Sequence, residues 1–195
     1  VNKILILAAL SCSLSGQLAA QIPAASARYK ATVIREAHAK GGLNAPVAMF
    51  AGQLQQESSW NPNAHSSVGA QGLAQFMTPT AQWISKVYPA DLPGAASLDP
   101  NWSIRALVFY DFWIYQRLPM YQIQDENRWA AALSGFNGGL GFAQRDAKIG
   151  PCSLWWGCAD SVDDGRTAAN LAQNRQYPFK IIRVFEPRYR AAGWM

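Results

Sequence analysis

Glu57 is the residue whose position first suggests chemistry. It lies three residues after Leu54 and seven after Phe50, and on a helix those positions share a face. The apolar stripe Val47, Phe50, Leu54 therefore runs into a carboxylic acid near the end of its helix. A carboxyl turned toward apolar surroundings loses solvation and its pKa rises. It then keeps a proton near neutral pH, as a general acid requires. Periodicity alone leaves the alternative of a glutamate swung outward at a frayed helix end. The only histidines are His38 and His65, with no ligand pattern near either, so the sequence predicts neither a metal site nor another cofactor.

The residues around Glu57 sharpen this reading. The chain runs Glu57-Ser58-Ser59-Trp60-Asn61-Pro62, then Gly69-Ala70-Gln71-Gly72-Leu73-Ala74-Gln75-Phe76-Met77, then Pro79-Thr80-Ala81. Further on, Gly135-Phe136-Asn137-Gly138-Gly139 follows an Ala-rich segment. In the order and spacing of these motifs, roughly residues 44–140 resemble the soluble lytic transglycosylase family of the lysozyme-like superfamily. The resemblance implies a mostly α, lysozyme-like domain with a substrate groove and little or no β-sheet. It implies Glu57 as the catalytic acid and base, and Ser58, Gly72, Leu73, Gln75, Phe136 and Asn137 as the substrate-binding set, with Ser58 also holding the local structure. Read from the residues, Gln75 sits in a Gly-rich turn that permits close approach of a ligand, and Asn137 is equally well a helix cap. Two positions depart from the family pattern. Ala74 stands where many members carry Met, which would widen one wall of the groove. Phe136 stands where the family usually has a Tyr thought to hydrogen-bond the acid, so another group must orient Glu57 here.

Glycoside cleavage usually needs two carboxyls. Asp91, Asp99, Asp111, Asp125 and Glu126 are the candidates for the second, and none has a catalytic context; Asp125 and Glu126 suit the first turn of a helix. By the resemblance, a lone acid implies a lytic transglycosylase cutting the β-1,4 bond between N-acetylmuramic acid and N-acetylglucosamine and leaving 1,6-anhydromuramyl ends. Two other readings stay open: a hydrolytic muramidase of goose type, and a glycan-binding structural component of a secretion or phage assembly.

The elements that must position these residues are helical. Periodicity predicts a helix from Arg28 to Gly41-Gly42, and one from the Asn44-Ala45-Pro46 cap to about Pro62. A third runs from Thr78 to about Val87. A long helix opens at Asp99-Pro100, apolar nearly all round and therefore expected to be central. Another spans Glu126 to Phe136, stopped by Gly138, Gly139 and Gly141. The last runs from about Phe179 to Ala192, with Pro187 as a kink. Trp60, Trp83, Trp102 and Tyr88 are open to two roles, sugar stacking or core packing.

The chain of 195 residues is half hydrophobic, with a formal net charge of +5 and 8 Trp. That composition supports a packed core and excludes wholesale disorder. Its basic residues are dispersed, without the Arg/Lys and aromatic interleaving of nucleic-acid binders, so no nucleic-acid partner is expected. An anionic lipid or an anionic wall polymer fits the charge, and the resemblance implies peptidoglycan. Residues 1–27 read as a signal peptide or signal anchor with a short linker, and 28–195 as the catalytic domain. Lys3, the apolar run Ile4–Leu10 and Ala19-Ala20 before Gln21 supply the signal pattern. Lipid attachment at Cys12 and a weak anchor giving transient membrane association remain open. Export to the periplasm or cell envelope agrees with Cys152 and Cys158, an even pair suited to a disulfide, against two free thiols. Trp155 and Trp156 at the tip of that loop are read either as a braced aromatic flap over the groove or as a plain surface staple.

Overall fold

A computed structural model describes residues 22–121 and 125–195. The signal or anchor segment, Cys12 and the Ala19-Ala20 cleavage site lie outside the described residues. Helices account for nearly all regular structure: α1 (Lys30–Gly41), α2 (Val47–Ser58), α3 (Thr78–Val87), α4 (Pro100–Gln116), α5 (Asp125–Gly138), α6 (Leu140–Ile149), α7 (Ala168–Phe179) and α8 (Glu186–Ala191). A π-helical segment, Lys180–Phe185, joins α7 to α8 into one continuous path. Among the described residues there is no β-strand beyond the isolated bridges of Gln71 with His65 and Phe76. None of their helices is long and apolar enough to cross a membrane. The expected mostly α, lysozyme-like class holds.

The sequence signals explain most boundaries. Asp99 caps α4 by accepting from the Trp102 N–H at 2.7 Å, and Pro100 follows at the first helical position. Gly42, at φ 73°, ends α1. The cap of α2 differs from expectation. The flanking residue is Pro46, and no side chain caps the helix. Residues 24–27, expected as linker, belong to a 3-10 helix, Ala24–Tyr29, in which Ser26 and Tyr29 are buried. The folded body therefore begins ahead of Arg28.

The central helix is α2. Every residue from Val47 to Leu54 is buried, enclosed by α1, α4, α8 and the π-helical segment. Gly52 makes the crossing with that segment possible, since a Cβ there would lie 3.0 Å from the Cβ of Phe185. Helix α4, expected to be the central one, buries one side and leaves Tyr110, Phe112, Trp113 and Tyr115 only partly covered. Glu36 and Arg105 form an ion pair at 2.7 Å that ties α1 to α4.

Two elements were not expected. Helix α6 follows Gly139 directly, where three glycines within four residues argued for a stop. Helix α7 starts at Ala168, eleven residues before the predicted Phe179, and runs through Pro178. An interior proline normally breaks a helix because it lacks an N–H and clashes with the preceding turn. Here tertiary contacts hold the path. Asn174 of α7 bonds Ser134 of α5 in both directions, at 2.8 and 2.9 Å. Arg175 reaches Asp146 of α6 at 2.8 Å.

Candidate active site

Glu57 sits in the last turn of α2, just before a backbone reversal. Ser59 and Trp60 follow with φ of 50° and 67°, and Gln75 has φ 48°. These three are the only non-glycine residues with positive φ among those described. Such conformations cost roughly 1–3 kcal/mol each and persist only where surrounding packing over-determines them. That packing is visible at Trp60, which is 1% exposed. Its ring stacks on Tyr29 with centroids 5.9 Å apart, and its Nε1–H donates to the Tyr189 hydroxyl at 2.5 Å.

The carboxyl of Glu57 opens into a cleft with two arms. One arm, about 400 Å³, is lined by Gln56, Glu57, Asn137, Gln173, Gln176, Tyr177 and Lys180. The other, about 160 Å³, is lined by Glu57, Gln75, Phe76, Met77, Thr80, Tyr110, Phe136 and Asn137. Among the described residues, Glu57 is the only carboxylate in either wall. A separate groove of about 450 Å³ runs between Leu43 and Met195. Its carboxylates are engaged by surface partners: Asp125 by Tyr115, Glu126 by Arg183 and Glu186 by Arg190.

Burial is the main influence on Glu57, and it pushes the carboxyl up to about 7; a hydrogen bond from the Tyr177 hydroxyl to Oε1 pulls the other way. Tyr177 is almost fully buried and lies parallel to Phe136, with planes 7° apart. The side chain of Gln53, one turn before Glu57, acts on the Tyr177 hydroxyl against the rise in pKa that burial imposes there. Its Nε2 lies 3.4 Å from Oδ1 of Asp111. Asp111 is fully buried on α4, and burial holds its carboxyl well above the usual range; the nearby Glu57 charge adds to the rise, and the Gln53 hydrogen bond opposes it. With no cation beside it among the described residues, desolvation disfavours the charged form of this carboxyl.

The expected binding residues divide. Gln75 and Asn137 line the cleft, and Phe136 lines the smaller arm. Gln75 spends its Nε2 on the carbonyls of Gly72 and Ala64, at 2.9 and 3.2 Å, so its Oε1 is left for a ligand. Asn137 accepts from Asn174 at Oδ1, at 3.3 Å, which leaves its NH₂ as a donor. The other three, Ser58, Gly72 and Leu73, line neither arm. Leu73 is fully buried in the core and has no surface to offer a ligand. Gly72, at φ +77°, sits where a Cβ would lie 1.8 Å from the Ser97 carbonyl; it permits a close backbone approach. Ser58 bonds back to the Leu54 carbonyl at 3.4 Å and lines neither arm. Ala74 is likewise fully buried, its N–H on the Ser103 hydroxyl at 3.0 Å, so it does not widen a groove wall.

The aromatic candidates divide as well. Trp60 and Trp102 are core residues, and Tyr88 packs edge-on against Phe109 beneath Lys40. Cys152 and Cys158 form a disulfide. The loop it closes is no flap: Trp155 is fully buried, and the N–H groups of Trp155 and Trp156 both bond Oδ1 of Asn127.

Sequence reasoning missed Tyr177, Gln53 and the Gln173–Gln176–Lys180 wall. Gln53 was accessible through its i, i+4 spacing to Glu57. Tyr177 had no local signal: it lies ahead of the predicted helix start at Phe179.

The family model of the transglycosylase SLT domain matches residues 32–150. Among curated relatives, membrane-bound lytic murein transglycosylase F of Shewanella halifaxensis is 35% identical over 127 residues, covering 63% of this chain and 23% of the relative. Its namesake in Vibrio vulnificus is 37% identical over 129 residues, covering 66% and 22%. The chain thus spans about a quarter of the length of these relatives. The crystal structure of the 70 kDa soluble lytic transglycosylase from Escherichia coli shares the fold, with TM-score 0.61 and 24% identity over 84% of this chain and 24% of that one. So does an inactive mutant of the lytic transglycosylase Slt from Pseudomonas aeruginosa, with TM-score 0.60 and 22% identity over the same shares.

Proposed function

The chain belongs to the transglycosylase SLT domain family, and from that premise we propose that it cuts peptidoglycan glycan strands as a lytic transglycosylase, with Glu57 as acid and then base. The observation that carries this reading is the isolation of Glu57: one carboxyl, shifted to about 7, with no second carboxylate in the walls of its cleft.

Oε1 of Glu57 accepts from Tyr177, so the acid proton belongs on Oε2. From there it passes to the glycosidic oxygen between N-acetylmuramic acid and N-acetylglucosamine, and the bond to the muramic C1 breaks. The substrate's N-acetyl group stabilises the cationic centre. Glu57, now a carboxylate, takes the proton of the muramic C6 hydroxyl as that oxygen bonds to C1. The product is a 1,6-anhydromuramyl end, no water is consumed, and Glu57 is again protonated. Nucleophile and electrophile share one sugar, which removes the entropic cost of a second encounter. The free acceptor of Gln75 and the free donor of Asn137 suit the N–H and C=O of N-acetyl or peptide groups.

A hydrolytic route needs a base beside an attacking water. Asp111 is sealed in the core, and Asp99 caps α4, which favours the non-hydrolytic route. The working place is the cell envelope, where the substrate lies. In the test, purified sacculi are digested and the released muropeptides weighed. Anhydro ends from the wild type and none from Glu57→Gln support the proposal; reducing muramic ends would replace it with a muramidase.

A further inference from the structure

A run of aromatic rings borders the smaller arm of the cleft. Thr80 and Tyr110 line it, from α3 and α4. One helical turn past Thr80 stands Trp83, and one turn past Tyr110 stands Trp113. The rings are contiguous. Phe136 and Tyr110 have centroids 5.4 Å apart, Tyr110 and Trp83 5.8 Å, and Trp83 and Trp113 4.7 Å. Arg117 lies over Trp113, 3.8 Å from the ring centre, and its NH1 donates to the Trp113 carbonyl at 2.9 Å. Trp113 is thereby fixed, and it meets Trp83 with the ring planes at 81°. Trp83 itself is 37% exposed, whereas Trp60, Trp102, Trp129, Trp155 and Trp194 are all buried. A partly exposed aromatic ring, held in place by two other rings beside a cleft, offers a face that a ligand could cover.

We infer that Trp83, braced by Tyr110 and Trp113, is the floor of a distal subsite that stacks the apolar face of a pyranose ring beyond the sugar pair at Glu57. The inference rests on the glycan-cleaving reading of the cleft. A pyranose ring carries axial C–H groups on one face, and an aromatic ring offers them the negative face of its quadrupole. The step from Thr80 to Trp83 advances about 4.5 Å along α3, of the order of the advance of one sugar along an extended β-1,4 strand. The tryptophan therefore addresses chain length and leaves the bond being broken to Glu57. Long strands gain a contact that a disaccharide cannot reach.

The test uses Glu57→Gln protein, which binds without turnover, and chitobiose and chitohexaose as probes, titrated by calorimetry and by tryptophan fluorescence. The hexamer is expected to bind more tightly than the dimer and to quench fluorescence. Adding Trp83→Ala weakens hexamer binding about tenfold, equivalent to 1.4 kcal/mol, and leaves the dimer unchanged. Trp83→Tyr restores most of the loss, because it keeps a ring face. Equal weakening of both probes, or of neither, overturns the inference. A wild-type protein that releases no anhydro ends, yet still shows Trp83-dependent hexamer binding, overturns the proposed reaction and leaves the subsite standing.

Discussion

The Tyr177 hydroxyl donates to Oε1 of Glu57 across 120 residues of sequence. Phe136, which lacks the hydroxyl expected at its position, lies parallel to the Tyr177 ring, with centroids 6.4 Å apart. The hydrogen bond to the acid is thus supplied from α7, and α7 is held to α5 and α6 by Asn174 and Arg175.

Tyr177→Phe removes a donor that favours the ionised carboxyl, so the Glu57 pKa rises further above about 7. The alkaline limb of the rate profile, where the acid loses its proton, shifts to higher pH. The maximal rate falls roughly ten- to hundredfold as Oε2 loses its aim. Turnover of sacculi across pH 5 to 9 checks both; a limb that moves down contradicts the assignment.

Glu57→Gln is expected to abolish turnover and to stabilise the fold at alkaline pH. The carboxyl goes from 4.5 to about 7 on folding. A raised folded-state pKa gives stability that is complete below 4.5 and lost as pH rises through 7. Above pH 7 the native state must hold a desolvated charge, at a cost of up to roughly 3 kcal/mol. Urea unfolding of both proteins at pH 4 and pH 8 reads this directly, the gap between them opening only at the higher pH.

Asp111→Asn keeps the shape and the hydrogen bond to Gln53 while removing the titrating group. Because burial disfavours the charged form of Asp111, the pH limb set by Glu57 should stay in place and stability at neutral pH should change by about 1 kcal/mol or less. A collapse of turnover with the fold intact would make Asp111 a reacting group and revive the hydrolytic route.

Trp155→Ala excavates the core, with an expected loss of roughly 3–5 kcal/mol and little change in rate per folded molecule. Reducing the Cys152–Cys158 bond, whose sequence separation is 6, costs about 2 kcal/mol on the chain-entropy account. Thermal melts with and without reductant, paired with activity at low temperature, separate these from a role over the groove. Rate loss at unchanged stability would place the loop in the cleft.

The hydrophobic stripe through Val47, Phe50 and Leu54 determined that a carboxyl would stand at the end of α2 on its apolar side, and the caps at Asp99 and Gly42 determined where helices start and stop. These are local matters of side-chain period and backbone freedom, so the sequence alone decided them, together with the motif order that marks the family. Which groups surround that carboxyl was decided only by tertiary structure. Tyr177 reaches Glu57 because contacts between α5, α6 and α7 outweigh the helix-breaking tendency of Pro178. Leu73 and Trp155 turn inward for the same reason, since burial depends on what the rest of the chain brings alongside. Spacing along a chain specifies which side of an element a residue occupies. Only the packed fold specifies what that side meets, because desolvation and hydrogen bonding arise between segments that are far apart in sequence.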